Sequence, residues 1–134
     1  MRMGRIILAT TVAAVLAFWA AASAIAFETQ TNADGGVTVK VTPKNISAGS
    51  KNWEFEVSLG THMGDLGQDL AKVSVLIDAE GKEHAAIGWD GDPPGGHHRK
   101  GVLRFQPLDA VPPTLELRIS GVAGVTRVFR WKLS

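Results

Sequence analysis

The chain has 134 residues with no cysteine, 20% charged and 45% hydrophobic side chains, and a formal net charge of +1; that suits one small globular domain rather than two. The missing thiols exclude a disulfide framework, a cysteine-based zinc site, a thiol nucleophile and a lipoprotein anchor, so stability has to come from an apolar core. Near-neutral charge without a basic stripe removes the electrostatic ground for nucleic-acid binding.

Arg2 and Arg5 precede the uncharged apolar run Ile6 to Ala26, which closes on the small-residue pattern Ala24-Ile25-Ala26. This is the form of a signal peptide spanning residues 1–26, cleaved before Phe27. The same run matches the ~20 residues of a spanning helix, so the alternative is a retained membrane anchor. Either way the remainder is expected outside the cytoplasm, periplasmic or secreted, with membrane contact only if the anchor stays. Removal of residues 1–26 takes two of the 14 Lys+Arg and none of the 13 Asp+Glu, which turns the net charge to −1.

Residues 27–36 read as a flexible lead-in, and 37–134 as the folded domain. "VTVKV" opens a series of segments with period two. "WEFEVSL" sets Trp53, Phe55, Val57 and Leu59 on one face and Glu54, Glu56 and Ser58 on the other, the mark of a half-buried strand. "MGDLGQDLAK" is the one convincing helical stretch, with Leu66 and Leu70 four apart; it predicts a single turn linking two strands across the sandwich. "VSVLID", "HAAIGW" and "GVLRFQ" read as further strands. "LELRIS" alternates Leu115, Leu117 and Ile119 with Glu116 and Arg118, and "RVFRWKL" alternates Phe129, Trp131 and Leu133 with Val128, Arg130 and Lys132. Turn signals at Asp34-Gly35-Gly36, Ala48-Gly49-Ser50, Glu80-Gly81-Lys82 and Pro112-Pro113 separate them. About seven short strands in this rhythm predict an all-β, immunoglobulin-like antiparallel β-sandwich, with Trp53, Phe55, Leu117, Phe129 and Trp131 buried.

Chemistry has to be sought among the four histidines. His84 opens a strand beside Glu83 and reads as a solvated imidazole. His62 and Met63 end the strong strand, and imidazole with thioether is a soft donor pair suited to copper; alternatively His62 bonds to loop backbone and Met63 plugs a gap beneath the helical turn. His97 and His98 close the loop "GWDGDPPGGHHRKG". Neighbours on extended backbone point to opposite sides, so one of this pair together with His62, and with Met63 or an aspartate such as Asp65, makes the better metal set for Cu or Zn. Against a cation stand Arg99 and Lys100. The loop also has an internal explanation: Asp90 could pair with Arg99 across the turn, Trp89 and Leu103 could pack beneath it, and His97 or His98 could donate to loop carbonyls.

Two segments, "THMGDLGQDL" and "GWDGDPPGGHHRKGVLRF", with the closing "RVFRWKL", resemble a group of small exported bacterial β-sandwich proteins. The shared pattern is T-H-x-x-x-L-x-x-D-L followed by W-x-G and G-G-H-H-x-x-G-x-L-x-F, and it spans roughly residues 41–133. The resemblance implies that Thr61, His62, Leu66, Asp69 and Leu70 belong with Trp89, Gly91, Gly95, Gly96, His97, His98, Gly101, Leu103 and Phe105. Met63 stands where the pattern has a serine, which favours a soft-metal role over a hydroxyl. No activity comes with the resemblance.

An enzyme is not expected: no nucleophile elbow, H-E-x-x-H, G-x-G-x-x-G or Walker loop is present in the sequence. The carboxylate pairs Asp65/Asp69 and Asp90/Asp92 read as caps or solvated faces. Two functions remain, an extracytoplasmic binding domain holding Cu or Zn through His62, His97, His98 and Met63, or a non-catalytic interaction or envelope module. In the second, the Gly-Gly-His-His loop is a structured contact surface for an extracytoplasmic protein partner.

Overall fold

The computed structural model describes residues 27–133; the expected signal or anchor lies outside them. Among the described residues there are nine strands: β1 (Gln30–Asn32), β2 (Val37–Asn45), β3 (Trp53–Thr61), β4 (Ser74–Ile77), β5 (Glu83–Ala85), β6 (Gly88–Gly91), β7 (His98–Phe105), β8 (Thr114–Val122) and β9 (Val125–Lys132). One helical turn, α1 (Leu70–Val73), joins β3 to β4. The strands form a five-stranded sheet in the order β1-β2-β3-β7-β6 and a four-stranded sheet in the order β5-β4-β8-β9, with every pairing antiparallel. Taking β2, β3, β6 and β7 as immunoglobulin strands A, B, D and E, and β4, β8 and β9 as C, F and G, the two sheets reproduce the order ABED against CFG. The immunoglobulin-like expectation is met, with β1 and β5 as the two strands beyond seven. No helix among the described residues is long and apolar enough to cross a membrane.

Period-two alternation places the core. β3 alternates buried and half-buried positions along its whole length, and Trp53, Phe55 and Leu117 have no exposed surface while Phe129 and Trp131 are at most 4% exposed. Phe55 meets Phe105 edge-on at 5.6 Å and crosses to Trp131 of the other sheet at 5.9 Å, separations at which aromatic pairs attract beyond their area burial. The polar ends of both buried indoles are satisfied, Trp53 donating to the Ser47 carbonyl and Trp131 to that of Glu28. The β8–β9 hairpin turns on Ala123 and Gly124, both left-handed, the backbone that suits the twist of two-residue hairpins.

Three expectations need correction. Residues 27–36 are not a free lead-in: β1 pairs with β2, residues 34–36 form a 3-10 turn, and the Gln30 amide bonds both the N–H and the carbonyl of Arg130. The side chain thus stands in for a neighbouring strand along the otherwise open edge of β9. "HAAIGW" is not one strand; the chain changes sheets after Ala85, so that β5 pairs with β4 while β6 pairs with β7. Third, the helical turn is shorter than "MGDLGQDLAK" and begins only at Leu70, capped by the Asp69 carboxylate, which accepts from the Lys72 N–H.

Candidate functional site

β3 and β7 are direct neighbours, with Gly60 opposite His98. The segment leaving β3 and the loop entering β7 therefore emerge side by side, although roughly 30 residues separate them in the sequence. The two patterned segments do meet, and they meet around each other. The Thr61 N–H donates to the His97 carbonyl at 2.9 Å, Leu66 N–H to Gly96 at 3.1 Å, and Gly95 N–H back to Leu66 at 2.9 Å. Asp65 accepts from the Gly96 N–H through its carboxylate at 2.5 Å. Gly95 and Gly96 both have positive φ, at 117° and 75°, a backbone that turns these amides toward the facing segment and that side-chain-bearing residues resist.

Arg99 is the hub. The sequence sets it against a bound cation as a charge beside the histidines; the structure buries it, 2% exposed. Its side chain shares the inward phase of Leu103 and Phe105 along β7, and it donates to the carbonyls of Leu66 at 3.2 Å, Gln68 at 2.7 Å and Asp92 at 3.2 Å. One guanidinium thus ties together the loop after β3, the approach to α1 and the loop after β6. Burial pushes its pKa below the ordinary arginine value, opposed by the charges of Asp92 and Asp69; arginine stays protonated nonetheless. The expected Asp90–Arg99 pair is not formed, and Asp90 contacts Arg104 at 3.4 Å.

Trp89 covers this hub, its indole centroid 5.5 Å from the Arg99 guanidinium carbon, within cation–π range. Its N–H donates to the Asp92 carbonyl at 2.9 Å, the same oxygen that Arg99 uses. Gly91 and Gly101 face each other beneath the indole, where a Cβ on either would overlap the other's backbone and the ring. The Trp-x-Gly and Gly-x-Leu-x-Phe elements are accounted for by this packing. Asp92 completes it by accepting from the Lys100 N–H through its carboxylate at 2.9 Å.

The four residues expected to bind metal lie on the outside of this rim. His62, His97 and His98 are exposed, and Met63 is 85% exposed, so it plugs no gap; Leu66, 2% exposed, fills the space below. Thr61 fixes the start of their segment by donating from its hydroxyl to the Met63 carbonyl at 2.6 Å. Among the described residues no three His, Asp or Glu side chains converge as a metal-holding group. His84 sits elsewhere, on β5, and is not merely solvated: its Nε2 lies 2.9 Å from Asp78. That hydrogen bond, with backbone N–H groups of Lys82 and Glu80, holds the Asp78 carboxyl below its ordinary value.

The sequence reading missed Arg99 as the organiser and Asp92 as its partner. The available signal was phase, since Arg99 lies an even number of residues before the inward Leu103 and Phe105.

No family model matches the chain, and no curated protein matches it either. Among solved structures it is similar to that of MPT63, a secreted protein from Mycobacterium tuberculosis, with a TM-score of 0.46 and 14% identity over 79% of this chain and 91% of that one.

Proposed function

We propose that the protein is an exported, non-catalytic interaction module that uses the rim around Met63 as its contact surface. The observation that carries this reading is the contrast within the rim: the backbone of both segments is tied down through Arg99, while Met63, His62, His97 and His98 project outward. A rigid frame presenting an exposed thioether and aromatic-like imidazoles is suited to partner recognition, because little conformational freedom is lost on binding. Methionine adapts its shape to irregular apolar surfaces. The loops lie at one end of an immunoglobulin-like sandwich, the place where such folds present variable contacts. The apolar run of residues 6–26 supports export.

The other reading, a Cu or Zn site on His62 with His97 or His98 and Met63, draws on the adjacency of Thr61 and His97 in the backbone. It has weaker support, since no third His, Asp or Glu joins them among the described residues and tetrahedral zinc sites take four ligands.

The test places a photocrosslinking amino acid at Met63, and separately at Val111, in cells expressing the full chain. A discrete adduct from position 63 that is absent from position 111 and is lost on adding His62→Ala is the expected result. Absence of any adduct at position 63 overturns the interaction reading. Calorimetric titration with Cu(II), Cu(I) and Zn(II) decides the alternative: binding tighter than millimolar, abolished by His62→Ala, would replace the interaction module with a metal site.

A further inference from the structure

On the outer face of the five-stranded sheet, below the rim, lies a groove of about 400 Å³, within the size range of small-ligand sites. Its floor is cross-strand register: Lys40 on β2, Ser58 on β3 and Lys100 on β7 stand in one row, and Thr38, Gly60 and His98 in the next. Adjacent strands are spaced ~4.8 Å apart, so the two lysine backbones bracket Ser58 at roughly 10 Å and their side chains can close over it. Gly60 leaves the floor low, with the His98 imidazole the nearest side chain to where its Cβ would stand, at 3.5 Å.

The charges do not cancel internally. Lys100 is paired with Glu56 at 3.5 Å, and Lys44 shares that same carboxylate, so one acid serves two ammonium groups. Among the described residues Lys40 has no carboxylate within 4.0 Å. Asp92 also lines the groove, and its negative charge is opposed by the Arg99 guanidinium beside it. An anion seated over Ser58 is attracted by the ammonium groups on both flanking strands.

We propose that this groove binds a phosphate group, either free or as a small phosphomonoester. Tetrahedral oxyanion chemistry is favoured over a carboxylate because Lys40, Lys100 and the Thr38 and Ser58 hydroxyls line the groove from three strands, more donors than the two oxygens of a carboxylate can take, and lysine binds phosphate as a point charge. The hydroxyls of Thr38 and Ser58 supply donors for further phosphate oxygens. The groove shares His98, and the rim-holding Arg99 and Asp92, with the interaction reading, but its binding groups, Lys40, Lys100, Thr38 and Ser58, play no part there, so it stands or falls without that reading.

The test is an NMR titration of the full chain, at constant ionic strength, with inorganic phosphate, glycerol 3-phosphate and acetate. Saturable shifts confined to the amides of Thr38, Lys40, Ser58, Gly60 and His98 are expected for phosphate or its ester, with acetate at least tenfold weaker. Tighter binding of the ester assigns the site to phosphomonoesters, and equal binding to free phosphate. Lys40→Ala and Lys100→Ala should each weaken binding at least fivefold, with Lys44→Ala unchanged. Both lysines are exposed, so melting temperature should hold in these variants. Shifts that stay linear to tens of millimolar, acetate binding as well as phosphate, or a Lys40→Ala/Lys100→Ala double variant that binds like wild type would overturn the site.

Discussion

Two arginines are sealed inside this small domain, and they are held in different ways. Arg99 on β7 is tied to three loop carbonyls, stacks under Trp89 and has the carboxylates of Asp92 and Asp69 nearby. Arg127 on β9 is fully buried and donates to the carbonyls of Asn32, Val37 and Val122 and to the Asn32 side chain. Among the described residues it has no aromatic lid and its Nε has no hydrogen-bond partner, while the charge of Asp34 opposes its desolvation. The first arrangement organises a surface; the second clamps the first strand. Arg127 fastens β1 and the 3-10 turn to the opposite sheet, and with Gln30 it explains how a three-residue polar strand stays in place.

The largest effect should come from Arg127→Met. An apolar side chain of similar length leaves the buried carbonyls of Val37 and Val122 without donors, and an unsatisfied buried group costs ~1 to 3 kcal/mol. A global loss of about 3 to 5 kcal/mol by denaturant unfolding is expected, together with loss of hydrogen-exchange protection in β1. A variant as stable as wild type would show that the clamp is dispensable.

Arg99→Met should cost less, about 2 to 3 kcal/mol, because two of its acceptors lie near the surface and water can replace the guanidinium. The effect should also be local. Amides of Gly95, Gly96 and Leu66 should exchange faster while those of β8 and β9 keep their protection. Uniform loss of protection would mean that Arg99 supports the whole sandwich, and the contrast with Arg127 would fail.

The sandwich was legible because β3 and β9 alternate along their length and β8 from Leu115 to Ile119, before its bulge, and their inward apolar residues belong to the core. Both buried arginines were legible in principle by the same rule: Arg127 is in phase with Phe129 and Trp131, and Arg99 with Leu103 and Phe105. The prior that charges face water hides them, since four of the six compensating carbonyls lie 31 to 95 residues away. The sheet change after Ala85 was hidden for another reason: it falls on Ala86 and Ile87, neither a turn-forming residue. The two segments meet because they leave and enter the paired strands β3 and β7, a pairing that alternation alone does not specify, and they are joined through backbone bonds and one guanidinium.

Because neither buried arginine titrates below neutral pH, acid sensitivity should arise elsewhere, and the surface of the four-stranded sheet supplies the source. Glu116 on β8 receives Arg130 at 2.6 Å and Arg118 at 2.7 Å. Burial raises its pKa, but the hydrogen bond from Arg130 and the charge of Arg118 outweigh burial, so the carboxyl lies below its ordinary value. A carboxyl depressed in the folded state binds fewer protons there than in the unfolded chain. Its contribution is therefore complete above the unfolded carboxylate range of ~4.3 and is lost as pH falls through the lower folded value. Glu116→Gln should leave stability at pH 7 lower by an amount that shrinks on acidification, so its curve converges on wild type below about pH 4. Arg99→Met and Arg127→Met should instead run parallel to wild type over the same interval. If the arginine variants converged with wild type in acid and Glu116→Gln did not, the buried guanidinium groups would depend on nearby carboxylates rather than on carbonyls.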